Sequence, residues 1–309
     1  MSVYLSPENF QKIQEKLTVH KIKSFDSEVE LELHEYKHDP NNENSSAPMF
    51  LCIHGFGEHV GMFEPFFLKL MDKKAVDCFV YNSRSHGENF ITPEKIAKIE
   101  INKTSIDVLT VAEFMSEKYP NRNLYLYGNS LGGATVLYTA MKNTSRICEI
   151  PNLKGVVFEN PYIQIHPNQA NFLLRCIIHM FGAIIPNFVV PKELDTSGVT
   201  SDPEGRKRLE SDPVFQHKAT FGSARTFLKI TNWVYSNLKS WPKDLPYNLH
   251  ISTKDVIVDH LASKEFAYKT SGYNRNNNVF HYEGAMHALK DEVDEFKDKF
   301  CDNVVGFLN

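Results

Sequence analysis

Cysteine is scarce in this 309-residue chain, tryptophan scarcer still, and no stretch carries charge of a single sign. The five cysteines (Cys52, Cys78, Cys148, Cys176, Cys301) are odd in number and scattered, without CxxC spacing. That excludes a disulfide framework and a zinc-finger-like site. With 34 basic against 38 acidic side chains, the basic face of a nucleic-acid binder is missing. Glycine and proline, at 15 each, are too few for a fibrous or low-complexity chain. Residues 1–17 mix polar and apolar side chains and lack the apolar core of a secretory signal. The expectation is a reducing, cytoplasmic setting, in which the Asn-x-Ser/Thr triplets at Asn44, Asn102 and Asn143 go unglycosylated. A long uninterrupted apolar run is also missing. The nearest approach, Asn171 to Val190, is broken by Arg175, His179, Gly182 and Pro186, which argues for an exposed apolar patch rather than a membrane span.

What the chain does have is alternation. Val29–Tyr36, Met49–Ile53, Cys78–Tyr81, Asn123–Tyr127, Lys154–Phe158, Leu249–Ser252 and Val279–Tyr282 read as strands. The polar tract Asp39–Pro48 connects the first two. Helical spacing marks Ile106–Tyr119, the stretch from Leu131 onward, Leu261–Thr270 and Asp291–Leu308. Strands alternating with helices predict an α/β fold, a mostly parallel sheet with helices on both faces. The alternation lapses over residues 161–241, between two sheet strands. An inserted lid over the carboxyl edge of the sheet, where ligands bind in such folds, accounts for it. The expectation is one domain over 1–309 with a lid at 161–241.

Gly128-Asn129-Ser130-Leu131-Gly132 sits where a strand runs into a helix. This is the setting of a nucleophile elbow, which needs small neighbours so that the serine can stand free on a strained turn. A serine hydroxyl needs a base and the base an orienting carboxylate, here in the chain order Ser, acid, His. His287 follows a strand directly, whereas His281 lies within that strand and His260 opens a helix. Asp255 leaves its strand first and is favoured over Asp259, which is placed to cap the next helix. The oxyanion donors are expected from the backbone of Leu131, after the serine, and of Phe56, in the glycine-rich loop His54-Gly55-Phe56-Gly57-Glu58. His54 is read as a brace for that loop.

The blocks His54-Gly55-Phe56-Gly57-Glu58-His59-x-Gly61, Gly128 to Gly133, Ser211-Asp212-Pro213 and Tyr282 to His287 resemble those of the monoacylglycerol lipases. These belong to the lysophospholipase-like α/β-hydrolases of the serine aminopeptidase S33 type. The resemblance runs from about Phe25 to the C-terminus. It implies an α/β-hydrolase fold, the triad Ser130, Asp255 and His287, and hydrolysis of monoacylglycerol to fatty acid and glycerol through an acyl-enzyme, without metal or organic cofactor. It also implies an apolar lid helix, at Asn171–Val190, that meets a lipid surface and makes the enzyme peripherally membrane-associated. Glu58 is the candidate for polar contact with the glycerol leaving group. Three departures loosen the substrate more than the reaction: Asn129 in place of the family's histidine, Asn82-Ser83-Arg84-Ser85-His86-Gly87 in place of Asp-x-Arg-Gly-x-Gly, and Ser252 in place of a glycine. Lysophospholipase or short-chain carboxylesterase activity is the alternative within enzymes. A catalytically silent lipid-binding module is the alternative outside them. The oligomeric state is left open.

Overall fold

Five short runs with every residue buried build the centre of the molecule, as expected of parallel strands covered on both faces. The computed structural model describes residues 3–42, 45–88, 96–169, 171–191 and 193–308, so Asn44 of the first glycosylation triplet lies outside the described residues. In chain order the elements are α1 (Pro7–Gln14), β1 (Leu17–Lys23), β2 (Glu30–Tyr36), β3 (Met49–Ile53), α2 (Glu64–Lys73), β4 (Asp77–Tyr81) and β5 (Ile96–Ala97). Next come α3 (Ile101–Lys118), β6 (Leu124–Asn129), α4 (Ser130–Lys142), α5 (Thr144–Cys148), β7 (Leu153–Glu159), α6 (Phe172–Ile184) and α7 (Pro203–Ser211). The last are β8 (Lys218–Ala219), α8 (Phe221–Ser236), β9 (Tyr247–Ser252), α9 (His260–Thr270), β10 (Asn278–Tyr282) and α10 (Asp294–Phe307).

Eight strands form one sheet in the order β1-β2-β4-β3-β6-β7-β9-β10. From β4 to β10 all neighbours are parallel, while β2 runs antiparallel to both β1 and β4. One apolar layer packs residues of α3, α4, α8 and α9 on one face, among them Val108, Val111, Leu137, Val234 and Phe266. The other packs α1, α2 and α10 on the opposite face, through Ile13, Phe66, Phe67, Phe300 and Val304. The fold is therefore the expected α/β-hydrolase architecture.

Between β7 and β9 the chain leaves the sheet and carries α6, α7, β8 and α8. Its tail is more tightly integrated than a flap would be. Ile230, Val234, Leu238 and Trp241 are buried in the same apolar layer as the sheet, and Trp241 lies edge-on to Phe158, Tyr247 and Phe266. The short parallel pair β5–β8 ties the same stretch to the body.

Two helix boundaries differ from the sequence reading. The helix expected from Ile106 begins at Ile101, because Asn102 to Ser105 weaken the apolar signal of its first turn without breaking the helix. The helix expected from Asp291 begins only at Asp294. Before it, a 3-10 turn covers Leu289–Asp291, and Glu292 is buried to accept the Ser201 and Met286 N–H groups. A carboxylate drawn inward in this way takes the chain off a helical path. Strand β1 and helix α1 had no clear sequence signal, since four of the seven β1 residues are polar.

Candidate active site

At the carboxyl edge of the sheet β6 turns sharply into α4. Ser130 stands at the turn with φ +51°, in the left-handed region that a non-glycine residue enters only at a cost of about 1–3 kcal/mol. The Tyr162 N–H holds the turn from outside, donating to the Ser130 carbonyl at 2.8 Å. Small neighbours make the turn possible. A Cβ on Gly132 would lie 1.9 Å from the Ile53 carbonyl oxygen, and one on Gly128 would lie 2.7 Å from the Gly132 oxygen. Both obstacles are backbone and cannot yield.

Asp255 and His287 meet on the loops after β9 and β10. His287 Nδ1 lies 2.6 Å from Asp255 Oδ2, and both residues are buried. The other oxygen, Oδ1, accepts the Ile257 and Val258 N–H groups at 2.8 and 3.0 Å, which fixes the carboxylate. Burial lowers the pKa of the His287 imidazole. The Asp255 charge and hydrogen bond, with Glu159 and Glu58 behind them, outweigh that and leave it above the ordinary 6.5. Ser130 and His287 line the same cavity, of about 320 Å³. Asp259 does cap α9, its Oδ1 accepting the Leu261 N–H. His281 and His260 are not among the cavity residues.

The loop after β3 forms the facing wall. His54 is buried, its Nδ1 bonded to the Gly55 carbonyl and its Nε2 accepting the Ser83 N–H, so both ring nitrogens brace backbone. His86 packs against His54 in a tilted arrangement, with centroids 5.0 Å apart. Below it, Arg84 forks onto Asp107 at 2.6 and 3.0 Å, so the divergent strand-end block buttresses the loop. No acceptor among the described residues takes the backbone N–H of Phe56 or of Leu131. Both N–H groups are thus available to a ligand, and the second lies at the N-terminus of α4, where the helix favours negative charge.

Glu58 lines the cavity but is already engaged. Its Oε2 accepts the Gly55 N–H at 2.5 Å and Asn129 Nδ2 at 2.8 Å, and its Oε1 pairs with Lys290 Nζ at 3.0 Å. Burial alone would raise the pKa of this carboxyl, yet the Lys290 charge and the two hydrogen bonds hold it at about 2.

Two residues of this region were not singled out by the sequence. Asn160, directly after β7 with φ +40°, donates from Nδ2 to Ser252 Oγ at 2.8 Å and to the His287 carbonyl at 2.7 Å, while its Oδ1 accepts the Ser252 N–H. One amide therefore ties the acid-bearing strand to the histidine loop, and Ser252 is part of that tie. The only available signal was an asparagine at a strand's carboxyl end. Lys290 is the second, because a lysine three residues beyond a histidine reads as surface.

The remaining lining is largely apolar. Phe56, Tyr162, Leu174, Ile178, Phe227 and Leu228 contribute, several of them from the inserted stretch.

A family model described as serine aminopeptidase, S33, matches residues 45–294 of the chain. A putative monoglyceride lipase of Schizosaccharomyces pombe is 26% identical over 253 residues, which span 80% of this chain and 64% of that protein. A monoglyceride lipase of Rattus norvegicus is 23% identical over 257 residues, 81% of this chain and 79% of that one. Among solved structures, a soluble variant of the Saccharomyces cerevisiae monoglyceride lipase, in complex with a substrate analog, superposes with a TM-score of 0.81 at 21% identity. That superposition covers 95% of this chain and 94% of the other, and it speaks for the fold.

Proposed function

Since the chain belongs to the serine aminopeptidase S33 family and is a serine ester hydrolase, we propose that it cleaves monoacylglycerol to a fatty acid and glycerol, with Ser130, His287 and Asp255 as its catalytic triad. The observation that carries this reading is the buried Asp255–His287 pair opening onto the same apolar cavity as a serine held at φ +51°. Ser130 Oγ adds to the ester carbonyl as its proton passes to His287 Nε2. The oxyanion takes the Phe56 and Leu131 N–H groups. Collapse breaks the ester C–O bond, and His287 returns the proton to the departing glycerol oxygen. Water, deprotonated by the same imidazole, then releases the fatty acid from the acyl-enzyme.

The lining favours an acyl chain and an uncharged leaving group. Glu58, Glu193, Asp195 and Asp291 line the cavity, and no lysine or arginine does so among the described residues. A phosphate group would find no lysine or arginine in the lining to receive it. Steady-state hydrolysis of matched monoacylglycerol, lysophosphatidylcholine and short-chain 4-nitrophenyl esters tests the assignment. The monoacylglycerol is expected to lead the lysophospholipid in kcat/KM by about tenfold or more. The reverse order would make the protein a lysophospholipase, and equal use of acetate and long-chain esters would make it a general carboxylesterase.

Helix α6 supports the reading of the inserted stretch as a lid that touches lipid. Among the described residues of α6 only Gly182 is buried, while Phe172, Leu173 and Ile184 are 83%, 67% and 70% exposed. An apolar face of this kind gains by entering a lipid interface. No helix among the described residues is long and apolar enough to cross a membrane. The triple variant Phe172→Ser/Leu173→Ser/Ile184→Ser is expected to lose most of its co-sedimentation with phosphatidylcholine vesicles while hydrolysing a soluble short-chain ester at the parent rate. Undiminished co-sedimentation would remove α6 from the lipid contact.

A further inference from the structure

The Lys290 side chain is fully buried. An ammonium there, without partners, would carry a desolvation penalty of several kcal/mol. Its partners are carboxylates from three directions. Glu58 comes from the loop after β3, the neighbouring Asp291 is in short contact, and Glu159 at the end of β7 bonds the Lys290 backbone N–H. The Phe63 ring lies 5.0 Å from Nζ. A lysine would not be drawn this deep simply to fill space, since methionine would do so without the charge.

The consequence of the charge is read at Glu58. Oε2 holds the Gly55 N–H and Asn129 Nδ2 together, and these groups belong to the two segments that bear the unpartnered N–H donors. Gly55 precedes Phe56, and Asn129 precedes Ser130 and Leu131. One carboxylate oxygen therefore sets the spacing between the two halves of the oxyanion site. As a carboxylate, Glu58 offers two charge-assisted bonds, roughly twice as strong as those a neutral acid would accept. We propose that Lys290 is a positioning residue for hydrolysis: its buried charge keeps Glu58 ionised, and the ionised Glu58 locks the Phe56 loop against the nucleophile turn. The inference rests on Ser130 being the nucleophile and on Phe56 and Leu131 being the oxyanion donors.

The other charged or titratable groups around this pair do not replace the lysine. His54, beside Glu58, is kept neutral by burial, and His59 is paired with Asp212 at 2.7 Å. Asp291 is acidic, and Glu159, bonded by Tyr127, is pushed up by burial to about 7 while the Lys290 charge holds it down, so its titration adds to any change in the acid limb. His287 feels both Glu58 and Glu159 and gains positive charge only in its protonated form. Without Lys290, burial drives Glu58 toward the neutral acid.

The Lys290→Met variant tests this. Its kcat is expected to fall by about 100-fold with little change in KM, as when an interaction specific to the transition state is lost. Its acid limb in kcat is expected to rise by about one to three pH units as Glu58 begins to titrate in the working range. A double variant, Glu58→Gln/Lys290→Met, removes the charges as a pair and keeps an acceptor for the two N–H donors. It is expected to regain about tenfold of the lost kcat and to lose the part of the upward acid-limb shift that Glu58 confers. Circular dichroism and melting curves of both variants show whether each is folded, and the double variant carries the test if Lys290→Met is not. Wild-type kcat and acid limb in folded Lys290→Met would overturn the inference. So would a double variant whose kcat is no higher than that of Lys290→Met and whose acid limb is raised as far. Labelling of the wild type by a fluorophosphonate separates the two levels: an unlabelled Ser130 defeats the underlying reading, whereas labelled protein with an indifferent Lys290 defeats only this one.

Discussion

Turnover of a monoacylglycerol by the Ser130→Ala variant is expected to fall by about a thousandfold or more, with no loss of fold. The substitution removes one oxygen and leaves the backbone constraints at the turn in place: the Gly132 approach to Ile53, the Tyr162 bond and the start of α4. Whatever rate survives would come from substrate held against the Phe56 and Leu131 donors, with water in place of the hydroxyl. Fluorophosphonate labelling should disappear in parallel. Activity above a thousandth of the parent, or labelling that persists, would place the nucleophile elsewhere. A folded parent that does not label at all would make the chain a silent lipid binder.

The Asp255→Asn variant is expected to lose about 10⁴-fold in kcat. Oδ1 of Asp255 is committed to the Ile257 and Val258 N–H groups, so an asparagine keeps its oxygen there and turns its NH₂ toward His287. His287 Nδ1 must then accept, the ring proton moves to Nε2, and no lone pair is left to take the serine proton. The same change removes the principal influence raising the imidazole pKa. The sign follows directly: a lower pKa keeps the ring neutral to more acidic pH, so the acid limb of the residual activity shifts down. Measuring kcat/KM against pH for parent and variant checks both parts. A drop of less than tenfold would mean that another carboxylate orients the base.

The parts of the site that share an immediate sequence context are legible in the sequence. Ser130 lies between a fully buried strand and a helix. Asp255 and His287 each follow an apolar run, and the glycines around Phe56 mark a loop that must pass close to its neighbours. Periodicity and small-residue patterns report such features because they are local. What stayed hidden depends on tertiary placement. The polar faces of β1 gave no strand alternation that composition could separate from loop. Lys290 contradicts the rule that lysine is exposed, and besides its neighbour Asp291 its charge is met by Glu58, which lies 232 positions earlier by subtraction of residue numbers. Glu58 itself read as a free polar contact for glycerol, because nothing local reveals that the Gly55 N–H and Asn129 occupy its oxygen. Asn129, in place of the family's histidine, keeps its Nδ2 on Glu58 while its Oδ1 has no partner among the described residues.

Asn160 has a further consequence for which parts of the molecule are held in register. Its backbone continues β7, and its amide pins the end of β9 and the His287 loop. Three adjacent strand ends are thus riveted together, and Asp255 and His287 cannot drift apart without tearing hydrogen bonds at the rim of the sheet. The inserted stretch is held differently: α6 packs against α8 and leaves most of its residues exposed. The division resembles an anvil and a hinged press: under the proposed function, the pinned rim would keep Asp255 and His287 aligned while the α6 side takes up the bulk of the acyl chain.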